Sequence, residues 1–174
     1  PTVIAINAAT PGAVGLSQEW RQEAGKQFID VGIAEEHAVA FSSGIAKGGA
    51  KPVYLVLGSF LQRTYDQLMQ DLALNKNSAV ILVYGASIGA GDATHNNTYI
   101  SSMENIIPNV KVFSPSYKED YIDILNWAIE QNEMPAIINV PAQINDHEAV
   151  FDTNNINHYN IEHKGSKVAL IGFG

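Results

Sequence analysis

Two adjacent carboxylates, Glu35 and Glu36, open a stretch with helical apolar spacing. Such a pair has two readings. Acids at a helix start complement the positive end of the helix dipole; alternatively, one acid is buried and handles a proton while its neighbour stays in water. A second candidate is Asp92-Ala-Thr-His95, set in a loop of small residues. An Asp and a His in reach of each other make an acid/base pair, and the same residues also serve as an ordinary turn Asp and loop His. Phe60 follows Gly58-Ser59 at a strand end, where a ring is either core or a stacking platform for a flat ligand. Arg63 and Asp66 fall on the polar side of the next helical pattern and read as surface charges.

Other chemistries find little footing. There is no nucleophile-elbow pattern for a serine hydrolase. Gly85–Gly91 lacks the Gly-Lys-Ser/Thr ending of a phosphate loop, and it lacks the dinucleotide fingerprint as well. His158, His163 and Asp146-His147-Glu148 read as solvated polar residues, so no metal site is expected from this chain.

The elements that must position these residues alternate. Val3–Asn7 reads as a strand, 8–25 as a turn-rich connection, and 28–31 as a second short strand closed by Gly32. Ala34, Ala38, Phe41 and Ile45 share one face of a 3.6-residue period and predict a helix, stopped at Gly48-Gly49. Strands are expected over 52–57, 79–84, 110–113 and 136–140. Leu61, Tyr65, Leu68 and Leu72 make a second helical stripe, and Tyr121, Ile124, Leu125, Ala128 and Ile129 a third. Ser116 and Glu119 have the spacing of a capping box. This alternation predicts an α/β fold with a mostly parallel sheet and helices on both faces. In such sheets ligands bind outside the carboxyl ends of the strands, where 32–37, 58–63 and 85–95 all fall. Residues 1–145 read as one domain and 146–166 as a polar linker. Residues 167–174 read as the first strand of a further domain, whose remainder is not in the sequence.

Composition narrows the function classes. The chain has 174 residues, 46% of them hydrophobic and 16% charged, which is enough apolar material for a core and too little charge for a disordered segment. Ten Lys+Arg against 18 Asp+Glu give a formal charge of −8, a poor match for nucleic acid or an anionic membrane. No apolar run approaches the ~20 residues of a membrane span. The sequence has no cysteine, which removes disulfides, thiolate metal sites and cysteine nucleophiles. A cytoplasmic protein is the expectation.

Three segments in order carry a resemblance: Asp30-Val-Gly-Ile-Ala-Glu-Glu-His-Ala-Val39, Ser59-Phe-Leu-Gln-Arg-Thr-Tyr-Asp-Gln67 and Asp92-Ala-Thr-His95. Ile107-Pro108-Asn109 and Ser114-Pro115-Ser116 fit the same pattern. Over roughly residues 1–142 the chain resembles the pyrimidine-binding domain of the 1-deoxy-D-xylulose-5-phosphate synthases, within the transketolase family of thiamine diphosphate enzymes. The resemblance implies a cofactor-binding set of Glu35, Ile33, Phe60 and Arg63. Glu35 would hydrogen-bond N1′ of the aminopyrimidine, Phe60 would stack beneath the ring, and Arg63 would sit beside the pocket. His95 would be the second catalytic residue and would face the substrate, with Asp92 near it. The cofactor would act as the electron sink for a 2-oxo donor such as pyruvate, whose two-carbon unit passes to an aldehyde.

Where this sequence departs from the family pattern, it departs in the acceptor pocket. Two positions where the synthases carry an Arg, implied to hold the acceptor phosphate, are Tyr84 and Asn139. A Tyr expected near the reacting carbon is Leu57. The acid expected before the His is displaced by one residue, to Asp92, and a Gln-Gly after it is Asn96-Asn97. The family's Gly-Asp-Gly…Asn motif, which binds the diphosphate and Mg²⁺, is absent. The expected partner is therefore a diphosphate-binding domain of the same or another chain, with a homodimer as the usual assembly and no catalysis from this chain by itself. Two alternatives stand beside this reading: a split transketolase or the β half of a 2-oxo acid dehydrogenase, and a non-catalytic interaction module on the same fold.

Overall fold

The computed structural model describes residues 2–85, 100–140 and 163–171. Its centre is one sheet of β1 (Val3–Asn7), β2 (Phe28–Asp30), β3 (Lys51–Leu57), β4 (Val80–Tyr84), β5 (Lys111–Phe113) and β6 (Ala136–Val140). The order across the sheet is β2-β1-β3-β4-β6-β5, and every pairing is parallel. The central strands are apolar without alternation, as strands covered on both faces must be. In β3, for instance, Lys51–Val56 are all buried.

The first face is covered by α2 (Glu35–Lys47) and a helical run over 58–73, with α5 (Ile100–Ile106) beyond it. Their Ala38, Val39, Leu61, Leu68, Leu72 and Ile100 pack on Ile6, Tyr54, Ile81, Val83 and Ile137. The second face is covered by the turn Pro11–Val14 and by α6 (Lys118–Glu130), through Val14, Leu16, Ile124 and Ala128. Crossovers that move one way across the sheet lie on the first face, and those that return lie on the second. A constant right-handed crossover requires that division. It also makes the β1/β3 boundary the switch point, because the connections leaving these neighbours diverge to opposite faces.

Several local expectations are corrected. The connection over 8–25 holds a helix, α1 (Gln18–Ala24), capped by Ser17, whose side chain accepts from the Trp20 amide at 3.1 Å. None of its residues is buried, so it carries no apolar stripe to read. The run over 58–73 is not one regular helix: α3 (Gly58–Leu61), a tight turn Gln62–Thr64, α4 (Tyr65–Gln67) and a wide π turn Leu68–Ala73 follow one another. The changes of winding keep Leu61, Leu68 and Leu72 inward and rotate Tyr65 out, to 37% exposure. α6 starts at Lys118 with Tyr117 at its N-cap and no cap bond from that side chain, one residue later than the Ser116–Glu119 spacing predicts. Apart from these corrections, residues 168–171 are described outside any strand, with Val168, Leu170 and Ile171 exposed, and the division into domain, linker and further domain stays an expectation.

Candidate active site

The site is assembled at the carboxyl ends of β1, β2 and β3. Asn7 closes β1 and is buried. Its Nδ2 donates to the Leu55 carbonyl at 2.8 Å, and its Oδ1 accepts from the Thr10 amide at 2.7 Å. Asp30 closes β2, and one carboxylate oxygen accepts from the amides of Ala9 and Gly32, both at 2.9 Å. These two side chains tie the loop after β1 to the turn that feeds α2. Gly32 sits in that turn at φ 77°, a conformation that L side chains avoid. Asn7 and Asp30 were not among the residues singled out by chemistry. The available signal was a polar residue ending an otherwise apolar strand.

From this turn α2 begins at Glu35 with no side-chain cap, so its first-turn acids Glu35 and Glu36 are what complements the positive end of the helix dipole. Glu35 is only 3% exposed. It lies on the same helical stripe as Ala38, Val39 and Ser42, the stripe that faces β3. The acids thus stand at a helix start, and Glu35 is the buried one of the pair. Its Oε2 meets Arg63 Nη1 at 3.4 Å, reached from the tight turn after α3. The Arg63 guanidinium also lies 5.6 Å from the centroid of the half-buried Phe60 ring. Arg63 is thus the hinge between acid and ring, which corrects its reading as an ordinary surface charge. Its side chain is 52% exposed, so the pair is accessible from outside.

Beneath Glu35 lies Tyr54 of β3, fully buried, its hydroxyl without a hydrogen-bond partner among the described residues. Burial first, and then the Glu35 and Glu36 carboxylates, push its pKa far up, so it stays protonated. The Ser59 hydroxyl is also buried without a partner, next to Phe60. Ile33, two residues before α2, is 81% exposed. His95 and Asp92 lie outside the described residues.

The two positions at which the resemblance predicts an Arg, Tyr84 and Asn139, are accounted for differently. Tyr84 packs on the second face, where its hydroxyl bonds that of Tyr121 on α6. Asn139, on the first face, donates through Nδ2 to Glu104 Oε2 at 3.0 Å and to Ser114 Oγ at 3.1 Å. Neither position carries a cation. Leu57 ends β3, partly buried against the second-face core. A groove of about 390 Å³ between α1 and β1, lined by Val3, Ala5, Trp20, Glu23, Ala24 and Gln27, is on that second face and away from Glu35.

A family model described as the transketolase pyrimidine-binding domain matches residues 1–145. The chain belongs to that family. It is similar to the 1-deoxy-D-xylulose-5-phosphate synthases of Chlorobaculum tepidum, 34% identical over 100% of this chain and 28% of the relative, and of Symbiobacterium thermophilum, 36% identical over 100% of this chain and 27% of the relative. This member of the transketolase family thus spans under a third of the length of these relatives. Among solved structures, the fold matches a transketolase mutant of Pichia stipitis with a TM-score of 0.71 at 19% identity, covering 81% of this chain and 23% of that one. It also matches a split-gene transketolase described as an inactive β4 tetramer, with a TM-score of 0.68 at 20% identity, covering 87% of this chain and 50% of that one. At such identities these two matches speak for the fold. Among the described residues, no helix is long and apolar enough to cross a membrane.

Proposed function

We propose that this chain is the aminopyrimidine-binding part of a thiamine diphosphate-dependent, transketolase-like enzyme, with Glu35 as the cofactor-activating acid. The observation that carries this reading is a buried carboxylate held beside an aromatic ring by a half-exposed Arg. A flat, protonatable heterocycle needs those three contacts: a face to stack on, an acid to accept from its ring nitrogen, and a group that fixes that acid. The orphaned hydroxyl of Ser59 next to Phe60 is a further polar atom that such a ring could satisfy. When bound, the cofactor would supply an electron sink for cleavage beside a carbonyl. Glu35 would hold or share the proton at the ring nitrogen, Phe60 would set the ring plane, and Ile33 would exclude water from the open side.

Pyruvate or another 2-oxo acid is the proposed donor and an aldehyde the acceptor, with His95 and Asp92 on the substrate side. The uncharged Tyr84 and Asn139 favour an acceptor other than the usual phosphorylated aldehyde, because Arg forks are what grip phosphate well. The diphosphate and Mg²⁺ would be held by a separate domain, of the same or a partner chain, in an assembly that is a dimer at minimum.

The test combines this chain with its diphosphate-binding domain, titrates thiamine diphosphate with Mg²⁺, and follows pyruvate decarboxylation. Saturable binding is expected, with turnover lost in Glu35→Gln. Absence of binding, or turnover indifferent to Glu35, overturns the reading. Ordinary turnover with glyceraldehyde 3-phosphate would overturn the acceptor part alone.

A further inference from the structure

We propose that Glu104 and Asn139 share one proton and form a neutral carboxylic acid–amide latch that pins α5 to the carboxyl end of β6. Glu104 is fully buried and Asn139 nearly so. One arm of the latch is present: Asn139 Nδ2 donates to Glu104 Oε2 at 3.0 Å. The second amide hydrogen is taken by Ser114 Oγ at 3.1 Å. What remains on these two groups is one acceptor each, Glu104 Oε1 and Asn139 Oδ1, and both are buried without a partner. Two acceptors cannot satisfy each other, and buried polar atoms left unpaired are costly. A single proton on Oε1, donated to Oδ1, satisfies both and closes a two-bond ring. It also removes a buried charge that has no counter-ion.

No cation competes for that role among the described residues. β6 presents Asn139 to Glu104, and the turn after β5 adds Ser114. α3, which packs against α5, contains no ionisable residue. Tyr84 of β4 is turned to the other face, onto Tyr121. Burial raises the pKa of Glu104, and the Asn139 bond only partly opposes it. Because the folded value is raised, the latch's contribution is complete below the free-Glu value and is lost as pH rises through the folded one. Through α3, the latch positions the Phe60 platform; Glu104 and Asn139 are positioning residues, not groups that touch substrate.

The experiment uses the full chain, with the Glu104 carboxyl carbon followed by NMR across pH and thermal stability measured in parallel. A titration well above the ~4.3 of a free Glu is expected. Glu104→Gln should hold the wild-type melting temperature and flatten its decline over that pH window, since a Gln amide closes the same ring without a titrating proton. Glu104→Ala should lose several degrees at every pH. A Glu104 carbon that titrates at the ordinary value overturns the latch. So does a Glu104→Gln variant as unstable as Glu104→Ala. Both readouts are independent of cofactor, so failure of the functional reading above leaves them informative.

Discussion

At the scale of single residues, the site is made by polar atoms that the core has removed from water. Tyr54 is the sharpest case. Its ring fills the space between α2 and the sheet, while its hydroxyl is stranded below Glu35. A buried hydroxyl without a partner costs about 1–3 kcal/mol. Tyr54→Phe is therefore expected to leave the chain equally stable or stabilise it by about 1 kcal/mol, read from urea denaturation. A clear loss of stability would mean that the hydroxyl bonds a group in the folded chain. Asn7 is the opposite case, since both ends of its amide are satisfied by backbone, and it holds β1 and β3 together where they diverge.

At the scale of elements, the two sheet faces have divided the work. The first face carries Glu35, Phe60 and Arg63, and the second carries the Tyr84–Tyr121 pair. There α6 docks on β4 through the Tyr84–Tyr121 hydroxyl pair. Burial, with Tyr84 close by, pushes the Tyr121 pKa up to about 12. A phenol whose folded value is raised contributes fully below its free value of about 10 and loses that contribution as pH rises toward the folded one. Stability should accordingly fall from about pH 10 upward. Tyr121→Phe should make that alkaline decline shallower, which circular dichroism against pH would measure. An unchanged decline would show that this pair does not couple α6 to pH.

At the scale of the whole molecule, the candidate site is open on one side. Ile33 stands 81% exposed, two residues before a 3% exposed acid, an arrangement that suits an edge covered by something else. In the proposed enzyme that cover is the cofactor together with its diphosphate-binding domain. Ile33→Glu is expected to leave the melting temperature of this chain within a degree or so, because an exposed side chain contributes little to the fold. The same substitution should weaken binding of the diphosphate-binding domain and cofactor by tenfold or more, the scale of a lost apolar contact of about 1.5–3 kcal/mol. Isothermal titration with and without cofactor separates the two effects, and unaltered affinity would place the cover elsewhere.

The sequence by itself determined the alternation of strands and helices, the two-faced α/β architecture and the family. All three rest on short-range periodicity and on contiguous motifs, which need no knowledge of what lies across the sheet. Its reading of Glu35 as a buried acid was open, because a helix start with two acids serves the dipole equally well. Tertiary structure decided that question by turning the stripe Glu35, Ala38, Val39 and Ser42 onto β3. It also brought Arg63, 28 residues away in sequence, to that carboxylate, a pairing that no local pattern encodes. α1 escaped the sequence because nothing in it is buried, and the winding changes over 58–73 escaped because the apolar spacing alone fits a plain helix. The Glu104–Asn139–Ser114 cluster joins three separate segments. Its chemistry depends on removal from water, which only the packed chain brings about.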